Sequence, residues 1–266
     1  LQKYNQRLLA IIGTLALAAL AVFIFIMGIL LVIELVDDFG RDSIHDNALV
    51  VTNDSTQTKD VEEFIRKQEL TLGTPRLIDT LDAIYLIPVS QVNLKDPEYT
   101  KVEKVQGLLE SSSRKRYWSY SGYFNNIILY NRLAETKIPV FDEKVLLTQF
   151  EHREIDNRLY LLIRGVTTDA NQNGKLDGDD LGSFYLYDID SDSLRKIALE
   201  GHGLDGYYVT YQSTEILLRF TKDKESDGEI DEFREPTIIK KLDLKTGLVN
   251  DLIEDEMRQQ LQQLID

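Results

Sequence analysis

The sequence predicts a mainly β protein on a single N-terminal transmembrane helix, with an extracytoplasmic domain of about three antiparallel β units and a short C-terminal helix. Three observations lead there. Leu8 to Ile33 is an uncharged apolar run, long enough to cross a hydrocarbon core of about 30 Å. From Ala83 onward, short runs of Ile, Val, Leu and Tyr alternate with Asp, Asn and Gly clusters, the texture of strands and turns. The chain also repeats itself, since a shift of 54 positions lays Ile163–Asp169 on Leu217–Asp223.

The apolar run far exceeds the roughly 7–15 residues of a secretory signal core, so it reads as a retained anchor. Lys3 and Arg7 precede it; Glu34, Asp37 and Asp38 follow it. The positive-inside rule then puts the N-terminus in the cytoplasm and the rest outside. The expected location is the cell membrane, a bacterial inner membrane in the first place, with the main domain periplasmic or extracellular. Ala10, Thr14 and Ala18 form a small-residue stripe that lets helices approach in lipid. It points to other membrane-protein subunits or to self-association; the alternative is the ordinary Ala and Gly content of membrane helices.

The domain plan follows in order. Residues 1–36 are the cytoplasmic stub and anchor, 37–82 a membrane-proximal neck or cap, 83–253 the β repeats, and 254–266 a C-terminal amphipathic helix. Within the neck, Val61–Leu70 reads as a short helix ended by Gly73, Thr74 and Pro75. Leu252, Ile253, Met257, Leu261, Leu264 and Ile265 give the last helix an apolar side that can cover a sheet edge.

The repeats carry the chemistry. Asp169–Asp180 reads DANQNGKLDGDD, with side-chain oxygens at Asp169, Asn171, Asn173, Asp177 and Asp180, a Gly bend at Gly174 and the Lys175 carbonyl between. Alternating oxygens around a glycine are what a hard cation such as Ca²⁺ requires. In the second copy Asp223, Glu225, Asp227, Asp231 and the Glu229 carbonyl take the same places around Gly228. Position twelve there is Arg234, which cannot ligate a cation; the next strand aligns one residue later, making Glu235 the closing ligand. The competing reading is two polar hairpin tips, because turns favour Asp, Asn and Gly.

A third, weaker copy lies upstream. Tyr85-Leu86-Ile87 matches Tyr160-Leu161-Leu162, and Ile128-Leu129-Tyr130-Asn131 matches Tyr185-Leu186-Tyr187-Asp188. An insertion from Asn93 to Asn125 replaces the cation loop and carries Arg114, Lys115, Arg116, Tyr117, Trp118 and Tyr120. That cluster is either a docking patch or a set of rings packed on the sheet.

The unit of apolar strand, Asp-rich Gly loop, FYLYDID, turn, LRKIAL and YYVTYQSTEILLRF resembles the short β-propeller repeats of the TolB and PD40 type. The resemblance covers about Ala83 to Ile253. It implies propeller-like β units, here about three, and calcium-type loops inserted in their hairpins. A closed propeller has four to eight blades, so this domain departs from the family in number.

Composition bounds the function. A net charge of −15 and pI near 4.7 exclude nucleic acid as a partner. With no Cys there are no disulfides and no thiolate chemistry. No nucleophile elbow, zinc helix or phosphate loop appears, so no catalytic residue is assigned and the chain is not read as an enzyme. His152 and His202 read as solvated loop residues without placed partners. The leading function is a non-catalytic accessory or scaffold subunit of a membrane complex, with Ca²⁺ as its cofactor. Behind it stand a ligand-binding or sensing module, and a hydrolase with a site around His202.

Overall fold

Runs rich in β-branched and aromatic residues become strands because such side chains fit a pleated, half-buried surface. The computed structural model describes residues 49–50, 68–93, 104–109, 116–231 and 234–265, and is mainly β. A two-residue strand, β1 (Leu49–Val50), comes first. The first sheet holds β2 (Gln68–Leu72), β3 (Arg76–Asp79) and β4 (Ile84–Asn93). A hairpin of β5 (Lys104–Leu109) and β6 (Arg116–Phe124) intervenes, before β7 (Asn126–Asn131) and β8 (Thr136–Pro139) complete that sheet. The second sheet is built on β9 (Leu146–Ile155), β10 (Arg158–Val166), β12 (Ser183–Asp188) and β13 (Ser193–Ile197), with the short β11 (Lys175–Leu176) in the loop between. The third consists of β14 (His202–Val209), β15 (Glu215–Lys222), β16 (Thr237–Asp243) and β17 (Val249–Asp251). Helix α1 (Asp255–Gln263) follows.

The three sheets share one plan. Each contains a sequential antiparallel meander: β3–β4–β7–β8, β9–β10–β12–β13 and β14–β15–β16–β17. In every case the long connection joins the second strand to the third. The third strand ends in a carboxylate or amide that holds the next turn. Asn131 Oδ1 accepts Ala134 N–H (2.9 Å), Asp188 Oδ1 accepts Asp190 N–H (3.1 Å) and Asp243 Oδ1 accepts Lys245 N–H (2.8 Å). These three residues pair with Ile84, Tyr160 and Glu215 on their second strands. The inserted β5–β6 hairpin leaves the first sheet and lays β6 against β9, extending the second sheet to six strands.

The second sheet lies between two cores. Leu161, Ile163, Tyr185 and Tyr187 pack with Leu86, Ile127 and Leu129 of the first sheet. Their neighbours Tyr160, Leu162, Phe184 and Leu186 pack with Ile216, Leu218, Phe220 and Leu242 of the third. Successive strand residues point to opposite faces, so β10 and β12 must be apolar on both, and they are. On the third sheet the other face carries charge, with Lys241 paired to Glu215 at 3.1 Å and Arg219 paired to Asp205.

Several expectations are corrected here. Val61–Leu70 reads as a helix, but Gln68–Leu70 belong to β2, where Leu70 pairs with Gln91; residues 61–67 lie outside the described residues. Cross-strand pairing overrides the local 3.6-residue pattern, and the first sheet reaches back to Gln68. The C-terminal helix forms, but buries none of its residues and covers no edge; Leu264 is 80% exposed. Periodicity gives the helix an apolar side but supplies nothing for that side to pack on. Of the two readings of the cluster at 114–120, packing on the sheet fits Tyr117 and Tyr120, which are buried, Tyr120 stacking on Phe150 with centroids 4.5 Å apart. Arg114 and Lys115 lie outside the described residues, as do the apolar run and the Ala10/Thr14/Ala18 stripe. Among the described residues no helix is long and apolar enough to cross a membrane.

Candidate metal centre

The loop between β10 and β12 takes its shape from backbone that few side chains tolerate. Gln172 has φ +58° and Gly174 φ +82°, and the left-handed region costs a non-glycine residue about 1–2 kcal/mol. Local hydrogen bonds offset that cost. Asp169 accepts Asn173 N–H on Oδ1 (3.0 Å) and Gly174 N–H on Oδ2 (2.8 Å), while Asn173 Oδ1 accepts Lys175 N–H (2.9 Å). Asp180 closes the loop, taking Ala170 N–H on Oδ1 (2.7 Å) and Asp177 N–H on Oδ2 (3.0 Å). Leu176 is buried against Leu146 and Val166, fixing the loop to the sheet.

The second loop, between β15 and β16, repeats this shape. Ser226 has φ +59° and Gly228 φ +84°, at the places of Gln172 and Gly174. Asp223 accepts Ser226 N–H on Oδ1 (2.6 Å) and Gly228 N–H on Oδ2 (3.0 Å). Asp227 Oδ1 accepts Glu229 N–H at 3.1 Å, as Asn173 does for Lys175. The closing carboxylate is that of Glu235. Its Oε1 takes Lys224 N–H (2.5 Å) and its Oε2 takes Asp231 N–H (3.0 Å), the same two loop places that Asp180 holds. Arg234, largely exposed, pairs with Asp231 at 3.3 Å and lines the cavity beside the loop's carboxylates. One inserted residue is absorbed before the closing carboxylate.

The oxygens are brought near one another without converging on a point. Among the described residues, no three His, Asp or Glu side chains form a group that could hold a metal ion as they stand. Their carboxylates lie instead on backbone N–H groups. Glu225, Asp227, Asp231, Glu235 and Glu229 nevertheless line one cavity of about 240 Å³. Asp177, Asp180, Asp223 and Glu235 are buried. Burial pushes the Asp180 carboxyl above its usual range, against the pull of the Asp177, Ala170 and Asn171 N–H donors. The donor set is all oxygen, the chemistry of a hard cation, and a buried carboxylate penalised by desolvation is a group that such a cation would relieve.

Two participants have no signature in the sequence. β1 pairs with β11, Leu49 opposite Leu176 and Val50 opposite Lys175, so the first loop is bonded to the chain entering the domain. Tyr123 lies beside Gly178, and burial together with Asp179 and Asp177 raises its hydroxyl pKa. Both contacts join residues far apart in the chain, and neither has a spacing to read.

His152 and His202 lie elsewhere. His152 is not a solvated loop residue: it is 3% exposed within β9, its Nδ1 accepting Trp118 N–H at 3.2 Å. β9 is flanked by β6 and β10, and its centre, Phe150 to His152, is buried while Thr148, Gln149, Arg153 and Glu154 are half-buried. Beside it Glu151 faces Arg153 at 3.1 Å; burial raises the Glu151 pKa while Arg153 opposes the rise. His202 begins β14, with Nδ1 2.7 Å from the Glu200 carbonyl. No known protein family matches the chain, and no curated protein matches it either.

Proposed function

We propose that this chain is a non-catalytic, membrane-anchored accessory or scaffold subunit of a larger membrane complex, its extracytoplasmic β domain stabilised by Ca²⁺. The observation that carries the calcium part is the duplication of one loop conformation, down to the positive φ pair and the placing of the closing carboxylate. Two unrelated polar turns would not be expected to share both the positive φ pair and a closing carboxylate on the N–H groups of the same two loop places. Asp169, Asn171, Asn173, the Lys175 carbonyl, Asp177 and Asp180 would hold one ion. Asp223, Glu225, Asp227, the Glu229 carbonyl, Asp231 and Glu235 would hold the other. A bound cation neutralises carboxylates that otherwise repel one another. The three meanders, each with its insertion after the second strand, support a propeller-like reading of the TolB and PD40 type.

The scaffold part rests on the apolar run and small-residue stripe of the sequence. Gentle detergent extraction of the full chain tests it: a stoichiometric membrane partner, or a second copy, should co-elute, and Ala10→Leu/Ala18→Leu should release it. A monodisperse lone chain contradicts the reading. One observation favours the sensing alternative, a cavity of about 570 Å³ lined by Leu77, Leu81, Tyr117, His152, Glu154 and Asp190, a size common for small-molecule sites.

A further inference from the structure

The two loops touch. Gly228 of the second lies on the Ala170–Asn171 peptide of the first, so closely that an added Cβ would stand 2.3 Å from the Ala170 carbonyl atoms. Across the same contact Asn171 Nδ2 donates to Glu229 Oε1 at 3.2 Å. The other end of that amide faces inward, Asn171 Oδ1 accepting Asn173 N–H at 3.1 Å. The Asn171 N–H beneath Gly228 is one that Asp180 accepts, at 3.4 Å, beside the Ala170 N–H at 2.7 Å. Next to the contact is a cavity of about 430 Å³, lined by Asp179 and Asp180 from the first loop, by Glu229 and Asp231 from the second, and by Arg164 of β10.

We infer that the two loops take up divalent cations as one coupled unit, filling of either raising the affinity of the other through the Asn171–Glu229 hydrogen bond and the Gly228 seat. This rests on the calcium reading above. The coupling has two physical sources. Glu229 fixes the amide whose oxygen is a ligand of the first loop, so ordering the second loop orients a donor of the first. Carboxylates of both loops share one cavity, so neutralising one set lowers the repulsion felt by the other. Coupling of this kind is reciprocal by thermodynamic necessity.

Glu229 gives the separating test: its backbone carbonyl belongs to the second ligand set, its side chain makes the tie and lines both cavities, and Glu229→Gln removes the charge while keeping an acceptor oxygen for the tie. Tb³⁺ replaces Ca²⁺ as the probe, on the full chain in mild detergent, with emission excited through Tyr123 beside the first loop and Asp169→Ala as the blank. Glu229→Ala should raise the first-loop midpoint about fivefold or more, the lower end of ordinary coupling. Glu229→Gln, which keeps an acceptor oxygen, should stay near the wild-type midpoint, and Asp223→Ala should shift it at least as far as Glu229→Ala. A first-loop midpoint unmoved by Glu229→Ala and Asp223→Ala overturns the coupling and leaves the cation reading standing. Wild-type emission no greater than that of Asp169→Ala overturns both.

Discussion

Gly228→Ala lowers the stability of the β domain by about 2–5 kcal/mol, summing a left-handed backbone cost and an overpacking cost. Gly228 sits at φ +84°, where an L side chain is strained, and its Cβ would meet the Ala170 carbonyl carbon and oxygen and the Asn171 nitrogen at 2.3–2.5 Å. Those are backbone atoms, which cannot swing aside as a side chain does. Gly201 separates the two contributions. It has φ +62° but nothing within 4 Å of an added Cβ, so Gly201→Ala should cost only the backbone share, about 1–2 kcal/mol. Urea unfolding of both variants checks the difference, and equal losses would mean that the loop contact carries no strain.

Phe150→Ala should cost about 3–5 kcal/mol, the usual price of emptying a large buried aromatic site. Phe150 is fully buried, stacked on Tyr120 and edge-on to Phe124 at 4.9 Å. Both partners belong to β6, so this ring fastens the inserted hairpin to the second sheet and to the first core. Its loss should lower the unfolding midpoint in denaturant while leaving any response to calcium in place, since Phe150 belongs to the first core and the loop residue Leu176 to a separate cluster. Leu81→Ala, at a site 86% exposed, should fall within about 0.5 kcal/mol of wild type.

How far the sequence discloses this architecture depends on the range of the interaction involved. The repeat pairs Asp169 with Asp223 and Asp188 with Asp243, and the structure places each pair alike, because loop shape and turn capping are local. The strand texture of β10 and β12 is legible for the same reason, as apolar runs too short for a helix. What pairs across the sheet is not. Gln68–Leu70, the end of the stretch Val61–Leu70 read as helical, becomes part of a strand because β4 offers it an edge. FEHREI shows charges that suggest a loop, yet two neighbouring strands enclose it and bury His152 and Glu151. The amphipathic pattern of α1 gives a helix correctly and a burial wrongly, since periodicity says which side is apolar without saying what lies against it. Within the candidate centre, the ligand types and their order can be read along the chain, whereas Gly228 resting on Ala170 and Asn171 reaching Glu229 arise only when two sheets are side by side.

Thermal unfolding of the full chain in calcium, in magnesium and in chelator, beside an Asp169→Ala/Asp223→Ala double variant, tests the calcium-stabilised domain most directly. At a tenfold excess over Kd each filled site adds about 1.4 kcal/mol by mass action, a rise of about 3–6 °C for a domain of this size. The account predicts that rise in calcium, little of it in magnesium, and none in the double variant. A wild-type midpoint that is the same in calcium and in chelator would contradict it, leaving two polar hairpin tips that happen to share one shape.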